Sequence, residues 1–484
     1  SSAASDVYKR QVQQVTDRIV NTYGIDNAYF EIWNEPDLGS WTGTEAEYFE
    51  LFKESYDAIK SVDSSIPVGG PATNHWANNI YFTAPFGYIS TLDGEQSLIA
   101  NLIDSTTLWN KPLDFLSWHN FNMTTETHQN AIDFITNKYN TLGASLPELS
   151  ISEWNAPSAV RDTDLHYAFA VKNTISIKNS AVSSDVIAAW QDFAFSSNEF
   201  HSDYGLLTYG AIRKPFFNAI KLASELKGTR VKSSSNVPLV YESSLDNDTL
   251  VVLISNYTPP GIVEALNHTL FEGEFTIFDL DTAGYIDISS NDLSTLEAIY
   301  NGTLTIPNTT ALNQAINNSI PIYTYFDSLQ SIEHLVEINL DGYNGNYSGA
   351  LFMIDDSTNN DQFTYYNLIA GGSSQSAAIS QIQGNQQLLS TPVSFGSGSY
   401  QVMMKPNSVA LLKIGISSVS AANDLHVTRS GISVYPNPSL DMIKIQSEFE
   451  DIGEITIFNT SGKRIKQFHF ASKYAEAVSY THLT

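Results

Sequence analysis

Between residues 12 and 230, short apolar runs alternate with longer amphipathic stretches, the spacing expected of repeated strand-helix units. Five runs read as strands: Ala28 to Trp33, Ile66 to Gly69, Phe115 to His119, Leu149 to Glu153 and Val186 to Gln191. Turn residues bound each of them, and a helix-length segment follows most. Their ends, taken at Glu35, Gly70, His119, Glu153 and Gln191, are separated by 35, 49, 34 and 38 residues. A (β/α)8 barrel of about 250 residues takes roughly 31 per unit, so the gaps fit barrel units with loop insertions. Five units do not close a barrel, and the pattern predicts an incomplete one over 12–230.

From 231 to 415 the pattern changes to runs rich in Thr, Ser, Asn and Val, among them Thr249–Ile254, Phe275–Phe278, Ile320–Tyr325 and Ser408–Ile414. These predict an antiparallel β-sandwich, with Gly371–Gln387 as a long loop inside it. Residues 416–430 lack periodicity and read as a linker. Over 431–477, Ile432–Tyr435, Ile443–Gln446 and Ile455–Phe458 read as strands of a small third module. The fold class is therefore α/β followed by all-β. Residues 1–11 and 478–484 match no packing period and read as adapter-like, non-native sequence, which makes the chain a fragment.

Composition narrows the chemistry. Of 484 residues, 42% are hydrophobic and 16% charged, enough apolar content for two or three packed cores. The net charge of −28 opposes nucleic acid and anionic membranes as partners. With no cysteine there is no disulfide, thiolate metal site or cysteine nucleophile. No apolar run reaches the roughly 18 residues of a membrane span, and no signal peptide is visible at the start. Rings make up 12% of the chain, and rings stack on sugars.

The most informative stretch is Tyr29-Phe30-Glu31-Ile32-Trp33-Asn34-Glu35-Pro36-Asp37-Leu38. Pro36 cannot continue a strand, so Glu35 is expected at the C-terminal rim of the sheet. Leu149-Ser150-Ile151-Ser152-Glu153-Trp154-Asn155 repeats the theme, and simple alternation delivers Glu153 to the same rim. Glycosidic bond cleavage needs such a pair, one group to protonate the leaving oxygen and one to attack or stabilise the anomeric carbon. On this reading Glu35 rests protonated and Glu153 ionised. His75, His201 and Asp203 have no metal-ligand spacing, and neither a metal nor a cofactor is expected.

Both glutamate stretches, in this order, resemble retaining barrel glycosidases, and glycoside hydrolase family 39 (β-xylosidases and α-L-iduronidases) in particular. The resemblance extends to Ser117-Trp118-His119, to Trp190, and to Tyr204-Gly205-Leu206-Leu207-Thr208 followed by Lys214-Pro215. It implies Glu35 as acid/base on the fourth barrel strand and Glu153 as nucleophile on the seventh. It further implies Asn34 as a hydrogen-bonder to the sugar 2-hydroxyl, His119 as a polar neighbour of the nucleophile, and Trp190 as a stacking platform. Strands one to three, on the order of 90 residues, are then expected upstream, along with a basic partner for Glu31. Val434-Tyr435-Pro436-Asn437-Pro438 and Asn459-Thr460-Ser461-Gly462-Lys463 resemble the C-terminal sorting domain of type IX secretion in Bacteroidetes. That resemblance implies the type IX machinery as partner and the cell surface or medium as destination. A non-catalytic carbohydrate-binding or adhesive protein on a remnant barrel is the competing reading, and it has no need of a paired acid and nucleophile.

Overall fold

The computed structural model describes residues 2–77, 80–84, 87–90, 97–123, 126–272, 275–290, 292–340, 346–396 and 399–416, together with five short strands between 432 and 479. Five strands build a parallel sheet: β1 (Phe30–Glu31), β2 (Val68–Thr73), β3 (Phe115–Asn120), β4 (Glu148–Trp154) and β5 (Ser184–Ile187). They lie side by side in chain order, and every neighbouring pair is parallel. Each crossover therefore steps the same way around, as in a barrel, without the reversal of a doubly wound sheet. All residues of β2 and β3 are buried, as strands covered on both faces must be.

Helices Glu45–Val62, Leu98–Leu108, Glu126–Leu142 and Asp164–Lys178 form the crossovers. The first shows why these segments are helical. Thr44 accepts from Glu47 N while the Glu47 carboxylate accepts from Thr44 N, a capping box that satisfies two otherwise orphaned donors. Tyr48, Phe52, Ser55 and Ile59 then recur on one buried face. Ahead of the sheet, helix Ser2–Asp17 lies along Glu45–Val62, with Lys9 Nζ 3.0 Å from Glu54 Oε2.

A six-stranded and a two-stranded antiparallel sheet stand where a sandwich is expected. Strands Thr249–Ser255 and Val409–Gly415 pair at the middle of the larger sheet. Their alternation serves two cores at once. Val251, Leu253, Val409 and Leu411 join the core of the parallel sheet and its helices. Leu250, Ile254, Ala410, Leu412 and Ile414 join Val336 and Val402 of the smaller sheet. Helix Asp164–Lys178 is trapped between the two units and buried on nearly every side, with Ser255 Oγ donating to Ala168 O at 3.1 Å.

Three segments differ from the sequence expectation. Ile320–Tyr325 is no strand but part of helix Ala311–Leu329, which keeps Pro321 in its interior. Its β-branched and aromatic residues mislead, because over the longer window Asn313, Ile316, Ser319, Ile322 and Phe326 repeat at helical spacing. Phe275–Phe278 leads into helix Ile277–Thr282, started by a Thr276/Asp279 capping box. With Gly261–Glu272 and Ser294–Tyr300 these helices form an inserted helical unit with a core of its own, including Leu266, Leu296, Ile299 and Ile316. Within Gly371–Gln387, expected as loop, Ser374 caps a helix over Gln375–Gln383.

In the C-terminal module, strands Ile432–Tyr435, Met442–Ser447 and Tyr474–Ser479 pair antiparallel, as do Gly453–Phe458 and Arg464–Phe470. The linker expected at 416–430 falls, apart from Ile416, outside the described residues. No helix among the described residues is long and apolar enough to cross a membrane.

Candidate active site

The chain leaves β1 through a kink. Trp33 and Glu35 both adopt left-handed backbone, with φ of 73° and 48°, a conformation that costs non-glycine residues of order 1–3 kcal/mol each. Surrounding bonds hold it. Ile32 N donates to Gly69 O at 3.1 Å and Glu35 N to Ala72 O at 2.9 Å, which ties the turn to β2. Ser40 Oγ lies 2.8 Å from Asn34 O and 2.7 Å from Glu35 O and closes the loop from the other side. The Glu35 side chain is thus turned onto the rim at the C-terminal end of the sheet.

Glu153 reaches the same rim by a different device. On β4, Leu149 and Ile151 are buried, but the next fully buried position is Trp154 and not Glu153. The pairing with β3 is irregular here, Trp118 facing Ile151 and His119 facing Glu153. One extra residue, Ser152, inverts the phase of the strand. The expectation that alternation alone delivers Glu153 is corrected on this point: a bulge re-aims it away from the face of Leu149 and Ile151.

The two carboxylates meet. One oxygen of Glu35, one of Glu153 and a ring nitrogen of His119 all lie within 4.8 Å of one another. His119, fully buried on β3, places Nδ1 3.0 Å from Glu35 Oε1 and 3.8 Å from Glu153 Oε2. It is therefore a neighbour of both glutamates and hydrogen-bonded to the first. Asn74 Nδ2 donates to the same Glu35 oxygen at 2.8 Å. These donors hold the Glu35 carboxyl below the usual range, the His119 bond acting most strongly and burial opposing it. Burial pushes Glu153 up, as does repulsion from Glu35 and Glu31, with His119 opposing. These shifts run opposite to the expected resting order of Glu35 protonated and Glu153 ionised, because both donors point at Glu35.

Of the remaining sequence candidates, Asn34 is exposed beside Glu35. Trp190 follows β5, keeps 66% of its surface exposed and rests edge-on against Phe217 at 6.2 Å. Glu31 is half-buried, and its charge reaches Glu153.

Sequence reasoning missed Asn74. Its signal lay in the strand end: read to Gly70, β2 carries no rim group, whereas the strand runs on to Thr73 and puts Asn74 next to Glu35. It also missed the role of Asn155, whose Nδ2 donates to Ala188 O and Tyr204 O while Oδ1 faces His166 Nε2 at 2.9 Å. Asn155 thereby ties the residue after Trp154 to the segment beyond β5. Rings continue the wall from the pair, His119 to Phe121 at 6.2 Å and Phe121 to Tyr204 at 5.7 Å.

A parallel half-barrel with two adjacent carboxylates at its C-terminal rim is the architecture of glycoside hydrolases. The chain belongs to glycosyl hydrolases family 39, which it matches over residues 4–274. Residues 433–484 match the secretion system C-terminal sorting domain, which marks the chain for the cell surface or the medium. A beta-xylosidase of Caldicellulosiruptor saccharolyticus is 28% identical over 277 residues, 51% of this chain and 53% of that protein. A beta-xylosidase of Geobacillus stearothermophilus is 24% identical over 246 residues, 44% of each. The chain thus spans about half the length of these curated relatives. Among solved structures, a monomeric beta-xylosidase from Caulobacter crescentus CB15 superposes with a TM-score of 0.58 at 16% identity, over 85% of this chain and 75% of that one. The GH39 enzyme from Xanthomonas axonopodis pv. citri gives 0.56 at 16%, over 85% and 73%. Both likenesses concern the fold.

Proposed function

We propose that this chain is the carbohydrate-cleaving part of a secreted, retaining, β-xylosidase-like glycoside hydrolase, with Glu35 as general acid/base and Glu153 as nucleophile. The observation that carries the reading is the meeting of the two carboxylates within 4.8 Å. Retaining pairs stand about 5–5.5 Å apart, whereas inverting pairs need about 6.5–9.5 Å to seat a water between carboxylate and sugar. The spacing fits direct attack by a carboxylate.

In the first step a Glu153 oxygen bonds to the anomeric carbon, the bond from that carbon to the leaving oxygen breaks, and the Glu35 proton passes to the leaving oxygen. In the second, Glu35 takes a proton from water, the water oxygen bonds to the anomeric carbon, and Glu153 departs as carboxylate. The substrate itself sets the protonation order. A glycosidic oxygen only accepts, so beside Glu35 it favours the protonated acid; a sugar hydroxyl donating to Glu153 favours the ionised form. Asn34 offers its amide to the 2-hydroxyl, and exposed Trp190 offers a ring face to the sugar. The xylose preference rests on the two beta-xylosidase relatives. The sorting domain supports export by the type IX machinery.

The test is covalent trapping of the full chain with a 2-deoxy-2-fluoro aryl xyloside, followed by peptide mass analysis. The expected result is one glycosyl adduct on the Glu153 peptide, absent in Glu153→Gln. An adduct on Glu35 reverses the two roles, and no adduct with no aryl alcohol release removes the hydrolase reading.

A further inference from the structure

Asp192, His201 and Asp203, all in the segment beyond β5, bring one ligand atom each within 4.8 Å of one another. Most of their polar capacity is used. Asp203 Oδ2 accepts from Phe193 N at 2.8 Å and Ala194 N at 3.0 Å, and Oδ1 from Tyr204 N at 2.8 Å. Asp192 Oδ1 accepts from Gly205 N at 2.8 Å and from Lys214 Nζ at 2.9 Å.

Two atoms are left over. Asp192 is only 5% exposed, and its Oδ2 is buried with no hydrogen-bond partner. His201 Nδ1 faces Asn198 O at 3.0 Å; a carbonyl only accepts, so Nδ1 carries the proton and a neutral ring presents a lone pair at Nε2. That Nε2 is buried, makes no hydrogen bond, and lies 3.7 Å from Asp203 Oδ2. With the ring neutral, the Nε2 lone pair and Asp203 Oδ2 are both acceptors, an unfavourable approach unless a positive charge sits between them. Lys214 Nζ lies 3.0 Å from Asp162 Oδ1 and 2.9 Å from Asp192 Oδ1, whereas Asp203 is met by backbone N–H groups and His201.

We propose that Asp192, His201 and Asp203 form a site for one divalent cation of the zinc or manganese class. An imidazole nitrogen with two carboxylate oxygens suits these ions and is a poor donor set for calcium, which prefers oxygen alone. The ion binds across both ends of the segment from 192 to 203, fastening Phe193, whose ring lies 6.0 Å from Tyr204. Through Tyr204 and Phe121 it stiffens the wall that ends at His119. Its role is to hold this wall, outside the bond-breaking chemistry.

The test uses the full chain stripped with EDTA, then titrated calorimetrically with Zn2+, Mn2+ or Ca2+ alone and assayed for retained metal after gel filtration. The expected result is one Zn2+ or Mn2+ per chain, tighter than Ca2+, with a raised thermal midpoint. His201→Gln weakens binding by at least about tenfold while leaving the metal-free midpoint unchanged. Asp192→Asn serves as the second variant should His201→Gln fail to fold, with the same expected loss. No retained metal, preference for calcium, or equal binding by the variants overturns the proposal; the first is also the outcome if His201 is an imidazolium paired with Asp203.

Discussion

His119 donates its Nδ1 proton to Glu35 at 3.0 Å and stands 3.8 Å from Glu153, so a single ring sits between two carboxylates without serving them equally. The closer contact selects which glutamate has its pKa drawn down in the empty site. Hydrogen bonding to a carboxylate lowers its pKa and burial raises it; burial acts on both members of the pair, and the donors on Glu35 outweigh it there. Because the groups are this close, their protons leave in two steps that belong to the pair.

Replacing His119 by Ala therefore moves Glu35 upward in pKa, since the bond that most stabilises its charged form is gone. Glu153 also rises, by less, because it loses only a charge interaction. In the proposed mechanism activity needs Glu35 protonated and Glu153 ionised. With the order the bound substrate imposes, both limbs of the kcat profile should shift to higher pH, the alkaline limb further. An unchanged alkaline limb would falsify the link between His119 and the acid.

Asn74→Ala removes the other donor to Glu35 Oε1. The expected effect has the same sign and is smaller, because burial and the His119 bond both outrank Asn74. Asn74→Asp goes further by placing a second carboxylate against Glu35, and the alkaline limb should then exceed that of Asn74→Ala. The order of the three profiles, wild type lowest and Asp highest, is the measurement.

What the sequence could and could not reveal follows from the range of each interaction. β2 and β3 are legible because strands buried on both faces are short apolar runs, and the Asn-Glu-Pro stop after β1 marks Glu35 locally. The bulge at Ser152 is not, because it exists only in the pairing of β4 with β3. The His119 and Asn74 bonds join residues 84 and 39 positions from Glu35, and no local pattern records them. Ile320–Tyr325 misleads for the opposite reason: its six residues favour a strand, while the 19-residue helix around them buries a face at helical spacing.

Lys214 tests the framework behind the rim. Its side chain and that of Asp192 are fully buried, and Asp162 is nearly so. Lys214→Met leaves two acidic groups without their cation, and removing one partner of a buried pair costs about 3–5 kcal/mol. Urea denaturation followed by tryptophan fluorescence should show a loss of that size; a loss below about 1 kcal/mol would mean that water reaches the cluster.

Asp361 gives the last prediction, and its sign runs against the usual carboxylate. It begins helix Asp361–Ala370, where a negative charge is favourable, yet burial raises its pKa to about 6, with Arg213 opposing. A carboxyl whose folded pKa lies above its unfolded value binds more protons in the native state between the two. Stability from this group is therefore full below about pH 4 and is lost as pH rises through about 6. Asp361→Asn removes the ionisation and keeps the shape. The variant should melt higher than the wild type at pH 7.5, and the gap should close progressively as the buffer is taken from pH 6 to pH 4. A gap that widens on acidification would mean that the ionised form of Asp361 is the one the fold favours, through Arg213 and the helix end, and that burial is the weaker influence.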